Sequence, residues 1–178
     1  MAGALSPAPA RRMHRIAAVA LALAGAFAPL AHAASATWTQ RVITPATALK
    51  AAQAAQAECA RHGWQVSVAV TDPSGLPLVV LRDRYAGWHT LAAAEGKART
   101  AASWRQPTDI VAARVNKPDS AEQAIKSLPG VVMIGGGAPI DAAGQMVGAI
   151  GVSGAPGGDN DTVCAKAGID AIGDELAF

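Results

Sequence analysis

The sequence predicts an α+β domain: an antiparallel sheet built from two β-hairpins, with helices packed on it. Three observations carry this. Short apolar segments come in two pairs, and tight turn sequences, Asp72-Pro73-Ser74-Gly75 and Asp141-Ala142-Ala143-Gly144-Gln145, join the members of each pair. Alanine-rich segments of helical length precede, separate and follow the pairs. Strands joined by such short turns run antiparallel, because a parallel pair needs a crossover of a dozen residues or more.

The first 33 residues read as an export signal rather than as part of that fold. Arg11, Arg12 and Arg15 make a basic start, Ile16 to Leu30 is an apolar run broken by Gly25 and Pro29, and Ala31-His32-Ala33 is a small-residue cleavage site. The run is short for a membrane span, so no stable membrane anchor is expected after processing. Cleavage leaves residues 34–178 as one domain, expected in the periplasm or outside the cell. It also removes three arginines and no acids. The 15 Lys and Arg of the whole chain become 12, against 13 Asp and Glu. No basic stripe is left, and nucleic acid is not an expected partner.

Residues 34–43 form a loose lead or a short edge strand. Thr44-Pro45 opens the first helix, with Thr as cap and Pro in the first turn. It runs to His62 and stops at Gly63. Ala48, Ala52, Ala55 and Cys59 share one face, small enough for close packing. Trp64 to Thr71 alternates Val66, Val68 and Val70 with Ser67, Ala69 and Thr71, the period of a strand. Leu76 to Arg82 returns antiparallel, with Arg82 placed on the same, core-facing side as Leu78 and Val80. Residues 83–88 are a loop and a second helix covers about 88–104. Pro107-Thr108-Asp109 and Lys117-Pro118-Asp119-Ser120 mark two short helices, about 108–115 and 120–127. The glycine-rich runs Gly135–Ile140 and Val147–Gly154 read as two short strands joined by Asp141–Gln145, while the apolar pattern along the chain gives the second hairpin as Val131 to Ile134 and Met146 to Val152. Pro156-Gly157-Gly158-Asp159 leads into a last helix, with Ala165, Ile169, Ile172 and Leu176 as its apolar stripe.

The chemistry available is limited. Only His62 and His89 survive cleavage. No Cys-x-x-Cys, Cys-x-x-Cys-His, Gly-x-Ser-x-Gly or P-loop sequence is present. Cys59 and Cys164 are a candidate disulfide in an exported chain. The other reading is two buried thiols, with Cys164 in the first turn of the last helix, where a thiol pKa is lowered. His89 shares a helical face with Ala93, Lys97, Thr100 and Trp104, either a pocket lining or an exposed histidine beside a packed lysine. His62 reads from its position alone as a helix C-terminal cap. Arg82 either meets a carboxylate of a ligand or second subunit, or forms a rim salt bridge; Asp83 points the other way. The glycine density over residues 130–154 implies that a ligand, a bulge or a neighbouring subunit approaches the backbone near Gly136 and Gly137. Gly154 and Gly157 offer an anion the N-terminus of the last helix, unless Asp159 or Asp161 caps it.

The glycine block, with Arg82-Asp83, His89-Thr90 and Lys97-Ala98-Arg99-Thr100-Ala101, resembles the GlcG/HbpS-like family of small haem- or small-molecule-binding proteins over residues 45–175. The resemblance implies a three-layer α-β-α arrangement and an exported homo-oligomer that binds haem or another small ligand. It places Arg82, Asp83, His89, Lys97, Thr100, Gly136, Gly137, Gly154 and Gly157 about the ligand, with His89 a candidate axial ligand to haem iron. For His62 it implies an alternative to the cap, axial ligation from the first helix. The alternative is a lyase-type enzyme for a small carboxylate or aromatic compound, with His89 and Lys97 as acid and base.

Overall fold

Thr44 caps the first helix, α1 (Pro45–Arg61), by accepting the Thr47 N–H at 3.2 Å, and Gly63 at φ +77° turns the chain out of it. The computed structural model describes Gly3 and residues 36–177, so the expected signal segment lies outside the described residues. The elements after α1 are β1 (Ser67–Thr71), β2 (Pro77–Arg82), α2 (His89–Trp104) and α3 (Thr108–Val115), then a 3-10 turn at Gln123–Ser127. β3 (Gly137–Ala142), β4 (Gln145–Ser153), α4 (Gly158–Asp170) and α5 (Gly173–Leu176) follow.

The strands form one antiparallel sheet in the order β2-β1-β4-β3. Both hairpin turns have local causes. The Asp72 carboxylate accepts the N–H groups of Ser74 and Leu76 at 2.8 and 2.9 Å. Ala143 and Gly144 both sit at positive φ, as a two-residue hairpin turn requires. On one face Val66, Val68, Val70, Ile150 and Val152 pack against α1 and α4. On the other, Ala69 packs against Ala94 and Ala98 of α2. The sheet is therefore the middle of three layers. A methyl group at Gly151 would overlap the Ala94 carbonyl, so α2 lies almost on the strand backbone. Cys59 and Cys164 join α1 to α4 by a disulfide, with Cα atoms 5.5 Å apart.

Four expectations need correction. The first strand of the second hairpin is Gly137–Ala142, not Val131–Ile134. Residues 131–134 lie outside the sheet because the Thr100 hydroxyl accepts the Val132 N–H at 3.0 Å and Val132 packs on Gly96 of α2. Arg82 is not on the core side. Leu81 and Val79 pair with Val68 and Val70 and share their face, which turns Val80 and Arg82 towards the α2 side. A bulge at Val70/Thr71 breaks the alternation that the sequence reading carried through Leu78. The last helix ends at Asp170; Ile172 is buried and Leu176 packs on the core, but across a break, from α5. Cys164 then stands in the second turn of α4 and is bonded, so no thiol titrates there. The stretch expected as a helix at 120–127 is only the 3-10 turn.

Candidate functional site

The loop between β2 and α2 is tied down from within and presents rings outward. At its start, the Asp83 carboxylate accepts the Val66 N–H at 2.8 Å, and the Asp83 N–H donates to the Val66 carbonyl at 2.9 Å. The Arg82 guanidinium folds over the loop and donates to the carbonyls of Ala86 and Arg84. At its end, the Thr90 hydroxyl donates to Gly87 O at 2.6 Å and lies 2.7 Å from the Ser67 hydroxyl. With its polar groups satisfied, the loop leaves Tyr85 79% and Trp88 86% exposed. His89, also exposed, begins α2 next to Trp88, its ring edge-to-face with the indole at 6.0 Å between centroids. The Arg84 guanidinium lies 5.7 Å from the Tyr85 ring. Among the described residues neither ring nitrogen of His89 has a hydrogen-bond partner. A Cβ at Gly87 would lie 2.7 Å from the His89 ring, so glycine there gives the imidazole its place against the loop.

A second polar centre is buried. Lys97 Nζ donates to Asp161 Oδ2 at 2.6 Å and to Val152 O at 2.9 Å, with side chains only 3% and 5% exposed. Asp161 Oδ1 accepts the Ala155 N–H at 3.0 Å. Burial pushes the Lys97 ammonium below its ordinary pKa and the Asp161 carboxyl above its own, each partly offset by the other. The pair fastens α2 to the start of α4 and to the end of β4.

The structure does not gather the predicted site residues into one pocket. His89 is at the surface and Lys97 in the interior, eight residues on, about 12 Å along the helix at 1.5 Å per residue. An acid–base pair made by these two within one chain is therefore not formed. Thr100 binds Val132, and Asp83 and Arg82 hold the loop. Gly136 and Gly137 are buried, and Cβ atoms there would meet Asp161, Val152, Lys97 and Thr108. The close approach the glycines allow is thus to the chain's own helices. Gly154 likewise abuts Gln65, while Gly157 opens to solvent before α4. Asp161 takes up the Ala155 N–H in that loop. His62 is engaged, 3.1 Å from Glu58 and stacked on Trp64 at 4.5 Å. A cleft of about 290 Å³ lies elsewhere, between Val42, Ile43, Ala142, Val147 and Leu176, and none of the predicted site residues lines it. No group of three or more His, Cys, Asp or Glu among the described residues is placed to hold a bare metal ion, and none of their helices is long and apolar enough to cross a membrane.

Tyr85, Gly87 and Trp88 belong to the His89 surface and sequence reasoning passed over them. A signal was present: Tyr85 is the only tyrosine of the chain, and it stands three residues from one of four tryptophans in a loop. Large rings in a surface loop are binding candidates.

Comparisons with known proteins agree with the fold. A family model described as haem degrading protein HbpS-like matches residues 43–170. The Escherichia coli K12 protein GlcG is 34% identical over 100 residues, 56% of this chain and 72% of GlcG. A double mutant of Streptomyces reticuli HbpS superposes with a TM-score of 0.72 at 39% identity, covering 82% of this chain and 97% of that one. A crystallised complex of PduOC with haem superposes with a TM-score of 0.69 at 26% identity, covering 74% and 95%.

Proposed function

Since the chain belongs to the HbpS-like family, we propose that it is an exported, homo-oligomeric haem-binding protein with His89 as the axial ligand. The observation that carries the proposal is the imidazole of His89, exposed, without a hydrogen-bond partner among the described residues, and set edge-to-face with the exposed Trp88 ring at the end of a loop that also exposes Tyr85. Haem supplies an iron that takes an axial nitrogen, a flat apolar macrocycle and two propionates. The residues present suit each part. His89 holds both ring nitrogens available, Trp88 and Tyr85 offer flat apolar surface, and Arg84 and the remaining N–H groups of Arg82 stand beside them for carboxylates. The relative crystallised with haem supports the choice of ligand.

Haem titration of the purified protein, followed at the Soret band, tests this. The wild type should show a saturable Soret shift. His89→Ala should lose it while keeping its far-ultraviolet circular dichroism, because the residue is exposed and its removal leaves no cavity. His62→Ala, which breaks only the contacts to Glu58 and Trp64, should bind as the wild type does. Loss of binding in the His62 variant with retention in the His89 variant would refute the assignment.

A further inference from the structure

We infer that the outer edge of β2 is the surface by which two copies of the chain join, strand to strand across a twofold axis, so that two sheets become one; this names an interface of the homo-oligomer proposed above and rests on that part of the reading.

The first argument is where the backbone groups point. The Asp83 N–H donates to the Val66 carbonyl at 2.9 Å, and in the same register Val68 pairs with Leu81 and Val70 with Val79. Bonded and unbonded positions alternate along an antiparallel ladder. Leu81 and Val79 therefore turn their N–H and C=O groups to β1, and Val80 and Arg82 turn theirs out of the sheet. β2 ends the strand order, and no hydrogen bond among the described residues reaches these outward groups.

The second argument is that the opposite edge is closed. Val152 donates to the Gly136 carbonyl, which turns the backbone of Gly137 and Pro139 outward on β3. The Gly137 N–H is taken by the Thr108 hydroxyl at 2.9 Å, and Pro139 has no N–H to give. A bulge at Ile140/Asp141 and the exposed Asp141 finish that edge. Proline, bulges and charge are the devices that keep a sheet edge from pairing. On β2 the proline and the bulge lie at the start, at Pro77 and Leu78. From Val79 to Arg82 the ladder is regular, and Val79, Val80 and Leu81 are apolar, with Val80 36% exposed.

The third argument is self-complementarity. A twofold axis at Leu81 sets Val80 opposite Arg82 of a second copy, and Arg82 opposite that copy's Val80. All four residues then exchange the groups that point outward, in an isologous contact. The two Leu81 side chains meet on the α1 side. Each arginine stands opposite a valine, not another arginine, and its guanidinium is already drawn to the carbonyls of Arg84 and Ala86, so no like charges stand directly opposed.

The experiment is amide hydrogen exchange resolved to single residues on the purified protein, with mass followed by sedimentation. The wild type should sediment as an oligomer, and its Val80 and Arg82 amides should exchange about 100-fold more slowly than those of Val80→Lys. That substitution sets an ammonium against Arg82 of a second copy, and the variant should sediment as a smaller assembly. The Val79 and Leu81 amides, bonded within the chain, should stay protected in both. Cross-linking serves if the charged variant does not fold. Val80→Cys should give a covalent dimer with a short bis-maleimide, since both native cysteines are tied in their disulfide, and Asp141→Cys on the opposite edge should not. An oligomer whose Val80 and Arg82 amides exchange as fast as those of exposed loops, or in which Val80→Cys gives no covalent dimer, overturns the pairing and leaves the homo-oligomer standing. A single-chain mass at every concentration overturns the pairing and the homo-oligomer together, and the haem titration still decides the reading of His89.

Discussion

Two histidines, His62 at the end of α1 and His89 at the start of α2, differ in what their nitrogens touch, and the difference decides which of them is available to a ligand. Lys97 poses the opposite case: a cation with nothing left to offer. Its ammonium is satisfied by Asp161 and Val152 inside the molecule. A buried pair of this kind draws its attraction against a large desolvation cost, so removing one partner costs far more than the pair contributes. Asp161→Ala should destabilise by about 3–5 kcal/mol, read from urea unfolding, because Lys97 is left buried without its counter-charge, with only the Val152 carbonyl to accept from it. The pH dependence has a defined sign. Asp161 titrates above its unfolded value of 3.8, so its contribution is present below that pH and fades as pH rises through the folded pKa. Lys97 titrates below 10.5, so its contribution is present above that pH and fades as pH falls through the folded pKa. Relative to a Lys97→Met, Asp161→Leu double variant, the wild type should therefore gain stability towards both ends of the pH range. A difference that is flat with pH, or largest near neutrality, would show that the ion pair outweighs its burial.

At the scale of elements, legibility followed local chemistry. α1, α2 and α3 were readable because Thr44-Pro45, Gly63 and Pro107 punctuate them, and β1 because its alternation is clean. β3 was legible only from the glycine-rich run Gly135–Ile140 before its turn; Gly137, Ala138, Pro139, Ile140, Asp141 and Ala142 carry little apolar signal, and the stronger run Val131–Ile134 competed for the same place. That run is held by a side chain, Thr100, which no period along the sequence reveals. The site fared similarly. His89 was legible as a scarce residue at a helix start, whereas the face it shares with Lys97 and Thr100 is covered by the chain's own residues. The glycines were legible as points of close approach, but not what approaches. In α4 it is α1: a Cβ on Gly168 would lie 2.6 Å from Ala51 O and 2.9 Å from Ile150 Cδ1. On an open helix Gly→Ala stabilises by about 1 kcal/mol. Here overpacking reverses the sign, and Gly168→Ala should destabilise by about 1–3 kcal/mol in chemical denaturation. Gly173→Ala, where nothing lies within 4 Å, should be neutral or slightly stabilising and serves as the control.

At the scale of the molecule, small residues on one face of the sheet let α2 lie almost on the strand backbone, valines and isoleucines on the other pack against α1 and α4, and a covalent tie links those two helices. That tie connects stability to compartment. A disulfide persists where the surroundings are oxidising and is uncommon in a reducing cytoplasm. The Cys59–Cys164 bond spans a sequence separation of 105, for which loop closure contributes about 4–5 kcal/mol, less any native strain. Export and the bond should therefore appear together. The protein recovered after export should begin at Ala34, read by intact mass, and show no thiol under denaturing, non-reducing conditions. The same chain begun at Ala34 and held in a reducing cytoplasm should show two thiols and unfold at lower denaturant. Its midpoint should rise to that of the exported form once the cysteines are oxidised. A recovered protein that retains residues 1–33 would refute export. Two thiols in a correctly processed exported chain would refute the bond while leaving export intact.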